Sequence, residues 1–212
     1  MSVPASERAR GCLIVFEGLD QSGKQTQSEE LAAWLRARSH QVECISFPDY
    51  DTPIGREIAR ALAGEREYTP DVMQLLYAAN RFEWKPRIAG WLEAGSIVLS
   101  DRYIASSIAY GETQGLDPGW LTSVQEPLPQ PDLTILLDIA PGSAAGRKAV
   151  GRDRFERDLA LLARARESYL RQAAAPGWVR IDGEQERSIV AAHVAAAVEA
   201  WLSGGTVRTG MR

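Results

Sequence analysis

The apolar run Cys12 to Phe16 leads directly into Glu17-Gly18-Leu19-Asp20-Gln21-Ser22-Gly23-Lys24-Gln25-Thr26, a glycine-framed loop that closes on a lysine. That order commits this part of the chain to a strand, a loop and a helix. The glycines let backbone N–H groups turn inward, and the helix after Lys24 aims its positive end at the same point. Such a loop cradles phosphate: the main chain of Gly18, Leu19, Asp20, Gln21, Ser22 and Gly23 surrounds it, and Lys24 reaches the outer phosphates of a nucleotide. A glycine pair alone would imply only a turn, whereas the full GxxxxGK string in this setting is specific. One position departs from the pattern. A hydroxyl that holds Mg²⁺ is expected after the lysine, but the chain has Gln25 there and a hydroxyl one place later, at Thr26. An ion would then rest on the Gln25 amide oxygen, or on carboxylates, phosphates and water.

With 212 residues, 45% of them hydrophobic, and a net charge of −4, the chain is long enough for one sizeable core and too acidic for a surface that coats nucleic acid. Cys12 and Cys44 both fall in apolar, strand-like runs, so they read as small core residues of a reduced compartment, without metal-binding spacing. No apolar segment suits a signal peptide or a membrane span, and a cytoplasmic location is expected. His40 and His193 fall outside every motif and read as surface or helix-face residues.

Apolar runs predict strands at residues 11–17, 42–47, 97–101, 133–137 and 178–181. Helical spacing predicts helices at 24–38, 53–62, 144–148, 159–174 and 189–202, with a longer one after Thr69. Thr69 serves that helix as N-cap before Pro70, Pro86 kinks or divides it, and Gly95 ends it. Strands alternating with helices give an α/β fold, a parallel sheet covered on both faces. Residues 1–10 read as a polar lead-in, 11–203 as one domain and 204–212 as a loose tail. Ligands of such sheets bind at the carboxyl ends of the strands, where the phosphate loop, Phe47-Pro48-Asp49-Tyr50 and Asp101-Arg102-Tyr103 would face one cleft.

The motifs FEGLDQSGKQTQ, Phe47-Pro48, Ala79-Asn80-Arg81, Asp101-Arg102-Tyr103 with Ser106-Ser107 and Ala109-Tyr110, and Leu128-Pro129-Gln130-Pro131-Asp132-Leu133 occur in the order of the thymidylate kinases. The chain resembles that family from Gly11 to about Leu202. The resemblance implies a phosphate-loop NTPase sandwich with about five parallel strands and a mobile lid, commonly a homodimer. It also implies transfer of the γ-phosphate of ATP to dTMP, with Mg²⁺. Arg102 then matches the arginine that contacts the acceptor phosphate. Asp20 and Asp101 match carboxylates of the acceptor and metal network. Tyr77 matches the ring stacked on thymine, and Arg81, four residues on and on the same helix face, the contact to a base carbonyl. Phe47 and Pro48 would close the apolar side of the pocket. Ser106 and Ser107 approach the polar edge of the base, and Tyr110 lies against the sugar and disfavours a ribose hydroxyl.

Arg147, Lys148, Arg152, Arg154 and Arg157 form a basic run that matches the lid, residues 147–157. Some members of the family carry an arginine inside the phosphate loop, while others rely on basic lid residues. Gln21-Ser22 makes this chain resemble the second group, with Arg147, Arg152 or Arg154 reaching ATP. Many members also carry an arginine just after Phe-Pro, where this chain has Asp49-Tyr50-Asp51, leaving Arg56 as the nearest basic residue. Asp182-Gly183 falls where the family lays an adenine loop. A GTPase would need an Asn-Lys-x-Asp motif, and Asn80 is the only asparagine. A kinase for another nucleotide and an ATP-binding regulatory module are the remaining alternatives.

Overall fold

Cys12–Glu17 forms β1, the central strand of a five-stranded, all-parallel sheet in the order β2-β3-β1-β4-β5. The others are β2 (Val42–Ser46), β3 (Ile97–Asp101), β4 (Leu133–Asp138) and β5 (Trp178–Asp182). The computed structural model describes residues 10–147 and 158–204. Both faces of β1 are buried, which is why its sequence is apolar without alternation. Ile14 and Phe16 pack with the helices α1 (Lys24–Arg36) and α8 (Arg187–Leu202), while Leu13 and Val15 pack on the opposite face. Each fully buried side chain of this kind contributes roughly 1.5–3 kcal/mol.

The opposite face is covered by α3 (Pro70–Glu93) and α4 (Ile104–Thr113). α2 (Pro53–Leu62) packs on α3, and α5 (Pro118–Ser123) on α4. α6 (Pro141–Arg147) and α7 (Leu159–Gln172) flank β4, where Leu136 and Ile139 meet Ala144 and Leu162. All five predicted strands are present. Thr69 precedes α3 in extended backbone with Pro70 at its first position, though its side chain makes no capping hydrogen bond. α2 has the predicted limits, and Thr52 caps it by accepting from Gly55 N at 3.0 Å.

Four expectations need correction. Pro86 does not divide α3: one N–H is lost, but Ala78 and Arg81 before it and Ile88 and Leu92 after it are buried and hold both halves to the core. α1 stops at Arg36, two residues early, and Ser39 then takes the left-handed conformation (φ 65°) that turns the chain into β2. Cys44 is exposed at the edge strand and not a core residue, whereas Cys12 is half-buried and burial pushes its thiol up to about 11. α4 and α5 were not expected as helices at all. Residues 148–157, which hold most of the predicted lid, and the terminal segments 1–9 and 205–212 lie outside the described residues. Among the described residues no helix is long and apolar enough to cross a membrane.

Candidate active site

The adjacent strands β2, β3 and β1 deliver their carboxyl ends to one edge of the sheet, where a cleft of about 740 Å³, counting its open mouth, opens among the following loops. Asp20 reaches it from the loop after β1, Phe47 and Pro48 from the loop after β2, and Arg102 from the end of β3. Tyr77 and Arg81 face it from α3, and Ser106, Ser107 and Tyr110 from α4. The residues predicted for the acceptor side are thus brought together. Tyr50, Leu62, Met73, Gln74 and Gln114 complete the lining; of these only Tyr50, within the Phe47-Pro48-Asp49-Tyr50 cluster, was expected to face the cleft.

The phosphate loop holds three positive φ angles within six residues: Gly18 (140°), Gln21 (63°) and Gly23 (94°). At Gly18 a side chain is impossible on packing grounds too, since a Cβ would stand 2.5 Å from the Leu137 carbonyl oxygen. At Gln21 the left-handed conformation costs a non-glycine residue roughly 1–2 kcal/mol. Gly23 sits at the N-cap of α1 with no side chain capping the helix, so the first-turn N–H groups stay available to an anion. Lys24 is buried. Its ammonium donates to the carbonyls of Leu19 (2.7 Å) and Gly18 (3.2 Å) and to Ser22 Oγ (3.4 Å). Burial, and then the positive charge of Arg102, pull its pKa down to about 8 against Asp101, Asp20 and Glu17. Thr26 is half-buried, while Gln25 is exposed and its amide donates to Glu29 Oε1 at 2.9 Å along the outer face of α1.

Arg102 also sits in the left-handed region, at φ 67°. Its N–H donates to Phe16 O (2.9 Å) and its carbonyl accepts from Ser100 Oγ (2.7 Å), so sheet-end hydrogen bonds hold a conformation that local sterics disfavour. The turn carries the guanidinium back over the phosphate loop. It donates to Asp20 Oδ1 (2.5 Å), Ser106 Oγ (3.1 Å), Gly18 O (3.3 Å) and Tyr169 Oη (3.4 Å). Its ion-pair partner is therefore Asp20, not the neighbouring Asp101. Burial alone would raise the Asp20 carboxyl, but Arg102, Lys24 and the Tyr110 hydroxyl, which donates at 2.8 Å, hold it down at about 2.

Under this layer lies a residue that the motif reading passed over. Glu17 is fully buried and accepts from the backbone N–H groups of Tyr103 (2.9 Å) and Ser106 (3.2 Å), from Ser106 Oγ (2.6 Å) and from Tyr169 Oη (3.1 Å). α4 has no side-chain cap of its own. The carboxylate at the end of β1 supplies that cap from outside, where the helix's positive end stabilises it. Ser106 is thereby committed to the protein rather than free to face a base. Tyr169 was missed because it lies 152 residues from Glu17, and only the fold joins them.

On the α3 side of the cleft Asn80 fastens the loop after β2 to α3. Its Oδ1 accepts from Asp49 N (2.8 Å), and its Nδ2 donates to Asp49 O (3.1 Å) and Thr52 Oγ1 (2.8 Å). Trp84 Nε1 donates to Asp49 Oδ2 (2.7 Å). Gly55 is required here, because a Cβ would come within 1.7 Å of Asp49 O. Arg81 donates to Ser107 Oγ (2.9 Å) and Gln125 Oε1 (2.7 Å); burial pulls its pKa down to about 10, still charged at neutral pH. Arg56 does not line the cleft; it donates to Asp51 O (2.6 Å), and Tyr50 occupies the wall instead. Gly183 packs on Ile139 and approaches Ser22, so the Asp182-Gly183 turn does border the phosphate loop. Arg152 and Arg154 lie outside the described residues, as does the side chain of Arg147 at the end of α6.

A family model described as thymidylate kinase matches residues 16–194. The chain belongs to the thymidylate kinase family. It is 40% identical over 152 residues to a thymidylate kinase of Schizosaccharomyces pombe, covering 72% of each chain, and 36% identical to the human one, covering 69% of this chain and 70% of that one. Against the Arabidopsis thaliana thymidylate kinase it is 37% identical over 72% of its own length but spans only 58% of that protein. A solved thymidylate kinase from Candida albicans superposes with a TM-score of 0.82 at 29% identity, covering 96% of this chain and 97% of that one. Within this family's fold, Asp101 keeps one oddity: its Oδ1 is buried with no hydrogen-bond partner among the described residues. Among the described residues, no group of three or more acidic, histidine or cysteine side chains is placed to hold a metal ion. An orphaned carboxylate oxygen beside a phosphate cradle suits Mg²⁺, which takes one or two carboxylates and fills its shell with phosphate oxygens and water.

Proposed function

We infer that the chain phosphorylates dTMP to dTDP with ATP as donor. The observation that carries this is the position of Arg102: one guanidinium reaches the phosphate loop through Gly18 O and lines a cleft with an aromatic ring, Tyr77, and a buried arginine, Arg81. Donor and acceptor phosphates meet at that residue. An oxygen of the dTMP phosphate attacks the γ-phosphorus, the bond to the β–γ bridging oxygen breaks, and ADP leaves. The acceptor phosphate is already an anion at neutral pH, so the protein needs to position the two phosphates and balance their charge, with no general base.

The loop from Gly18 to Thr26 holds the donor phosphates, with Lys24 on the outer ones. Arg102 grips the acceptor phosphate by its fork and follows the charge as it moves. Phe47 and Pro48 close the base pocket, Tyr77 stacks on the ring, Arg81 and Ser107 read its polar edge, Ser106 holds Arg102 in place, and Tyr110 lies against the sugar. Asp101, with Asp20, would hold Mg²⁺, which neutralises charge on the phosphates. Arg147, Arg152 and Arg154 belong to a lid over residues 147–157 that excludes water when it closes. Residues 11–203 act as one unit, working as a cytoplasmic homodimer. A methyl group in an apolar pocket discriminates by only about 1–3 kcal/mol, so slow use of dUMP is expected.

The test is ADP release from ATP and Mg²⁺ with dTMP, dUMP, dCMP, AMP or no acceptor. Release that depends strongly on dTMP supports the reading. ATP binding without acceptor-dependent release overturns it.

A further inference from the structure

Gln74 lies on α3, three residues before Tyr77 and seven before Arg81, a spacing that puts all three side chains on one helix face. It lines the same cleft and is only 2% exposed. Its Oε1 is buried and has no hydrogen-bond partner among the described residues. Fully buried amides are nearly always paired, and an apolar side chain of the same shape would fill the space without this penalty. Met73, Leu62, Phe47 and Pro48 of the same lining carry no side-chain donor, and the donors that share the cleft, Tyr77 and Arg81 among them, make no hydrogen bond to the Gln74 oxygen. The donor that completes Gln74 is therefore to be sought in whatever fills the cleft.

The polar groups nearby define what that donor accompanies. Arg81 has only N–H groups to give, and the Ser107 oxygen already accepts from it. The Gln125 oxygen accepts from Arg81 as well. A thymine ring attached through N1 carries two carbonyl acceptors and one N–H donor, at N3, between them. Arginine N–H groups suit the carbonyls, and an amide oxygen suits the N–H.

We propose that Gln74 is a further specificity-determining residue of the cleft, its amide oxygen accepting a hydrogen bond from the N3–H of the acceptor's pyrimidine ring. The proposal rests on the dTMP reading above and adds the residue that reads the one ring donor. A cytosine ring carries a lone pair at N3 and meets the same oxygen with repulsion unless the amide turns over. Ring recognition thus combines stacking on Tyr77 with a donor from Arg81 and an acceptor from Gln74, about two turns apart on one face of α3.

The test compares wild type with Gln74→Leu, and with Gln74→Met as a second variant should leucine fail to fold. The expected result is a rise of about tenfold in KM for dTMP with kcat within about twofold, the loss of one hydrogen bond. The ligand-free melting temperature stays level or rises, because an unpaired buried oxygen has been removed, while the added stability conferred by saturating dTMP shrinks. N3-methyl-dTMP, which lacks the donor, binds wild type more weakly than dTMP by about tenfold or more, and that gap narrows in the variant. An unchanged KM together with a lower melting temperature would show that Gln74 only packs, and overturns the proposal. Wild type that uses dTMP while the variant's KM is unchanged sinks the Gln74 role alone. Wild type with no dTMP-dependent ADP release sinks the acceptor reading and this role with it.

Discussion

Lys24 and Arg102 both donate to the Gly18 carbonyl, and the protein holds them in opposite ways. Lys24 rests on two carbonyls and a hydroxyl, without a carboxylate contact among the described residues, and burial has lowered its pKa to about 8. Arg102 is clamped by a carboxylate at 2.5 Å and by Ser106, Tyr169 and Gly18, on a backbone held in a disfavoured conformation. The first cation is under-compensated and gains most when an anion arrives. The second is already neutralised, so phosphate must compete with Asp20 for it. Under the proposed function, affinity for the donor would come from a charge deficit, and geometry on the acceptor side from a rigid frame.

The largest effect that would break this contrast is expected from Lys24→Met. Removing a preorganised charge at the transferring phosphate costs roughly 10²–10³-fold in kcat. The same change should raise the ligand-free melting temperature, since a desolvated amine becomes a methyl thioether. Steady-state rates and thermal melts check both halves, and a lower melting temperature would mean that Lys24 is structurally satisfied after all. Arg102→Lys should have the next largest effect. It keeps the charge but loses the fork, and kcat/KM for dTMP should fall roughly tenfold to a hundredfold, the worth of a charge-assisted hydrogen bond. ATP affinity without acceptor should stay within about twofold, and an equal loss on both sides would erase the distinction between the two cations.

The smallest effect is one of pH. A lysine whose pKa is lower in the folded chain than the ordinary 10.5 penalises the fold at neutral pH, and stability should rise as pH climbs from about 8 toward 10.5 because the unfolded chain binds the extra proton. ATP pushes the same pKa back up. Calorimetry at pH 8 in buffers of different ionisation enthalpy should show uptake of about half a proton per ATP, and affinity should weaken by at most about tenfold per pH unit above that point. Binding without proton uptake would place the lysine at its ordinary pKa. Asp20 contributes in the opposite direction: held at about 2, it stabilises the fold above pH 4 and loses that contribution as pH falls through 2.

The sheet and the phosphate loop were legible because each is written locally, in short apolar runs and in one contiguous string. α4 was not. Ile104-Ala105-Ser106-Ser107-Ile108-Ala109-Tyr110 has no strong helix formers apart from its alanines, and four consecutive residues at its start are buried, which erases the amphipathic stripe that marks a surface helix. What makes it helical is the Glu17 carboxylate at its start and the packing of its flanks, neither visible in a window of ten residues. Gln74 escaped for a related reason: an amide in an otherwise apolar helix segment is unremarkable until the fold leaves its oxygen without a donor. The Arg102–Asp20 ion pair was equally invisible, since the two residues lie 82 apart in sequence and meet only in the fold.

Glu17 and Gly18 are consecutive residues with different clients. The carboxylate of Glu17 starts the helix that lines the acceptor cleft, and the carbonyl of Gly18 receives Lys24 at 3.2 Å and Arg102 at 3.3 Å. The start of that helix and the carbonyl shared by the two cations are therefore anchored one peptide unit apart, about 3.8 Å between α-carbons, a spacing that no rearrangement of the surrounding helices can stretch. Substitutions in the walls of the pocket leave that spacing untouched; an insertion at that one bond would change it.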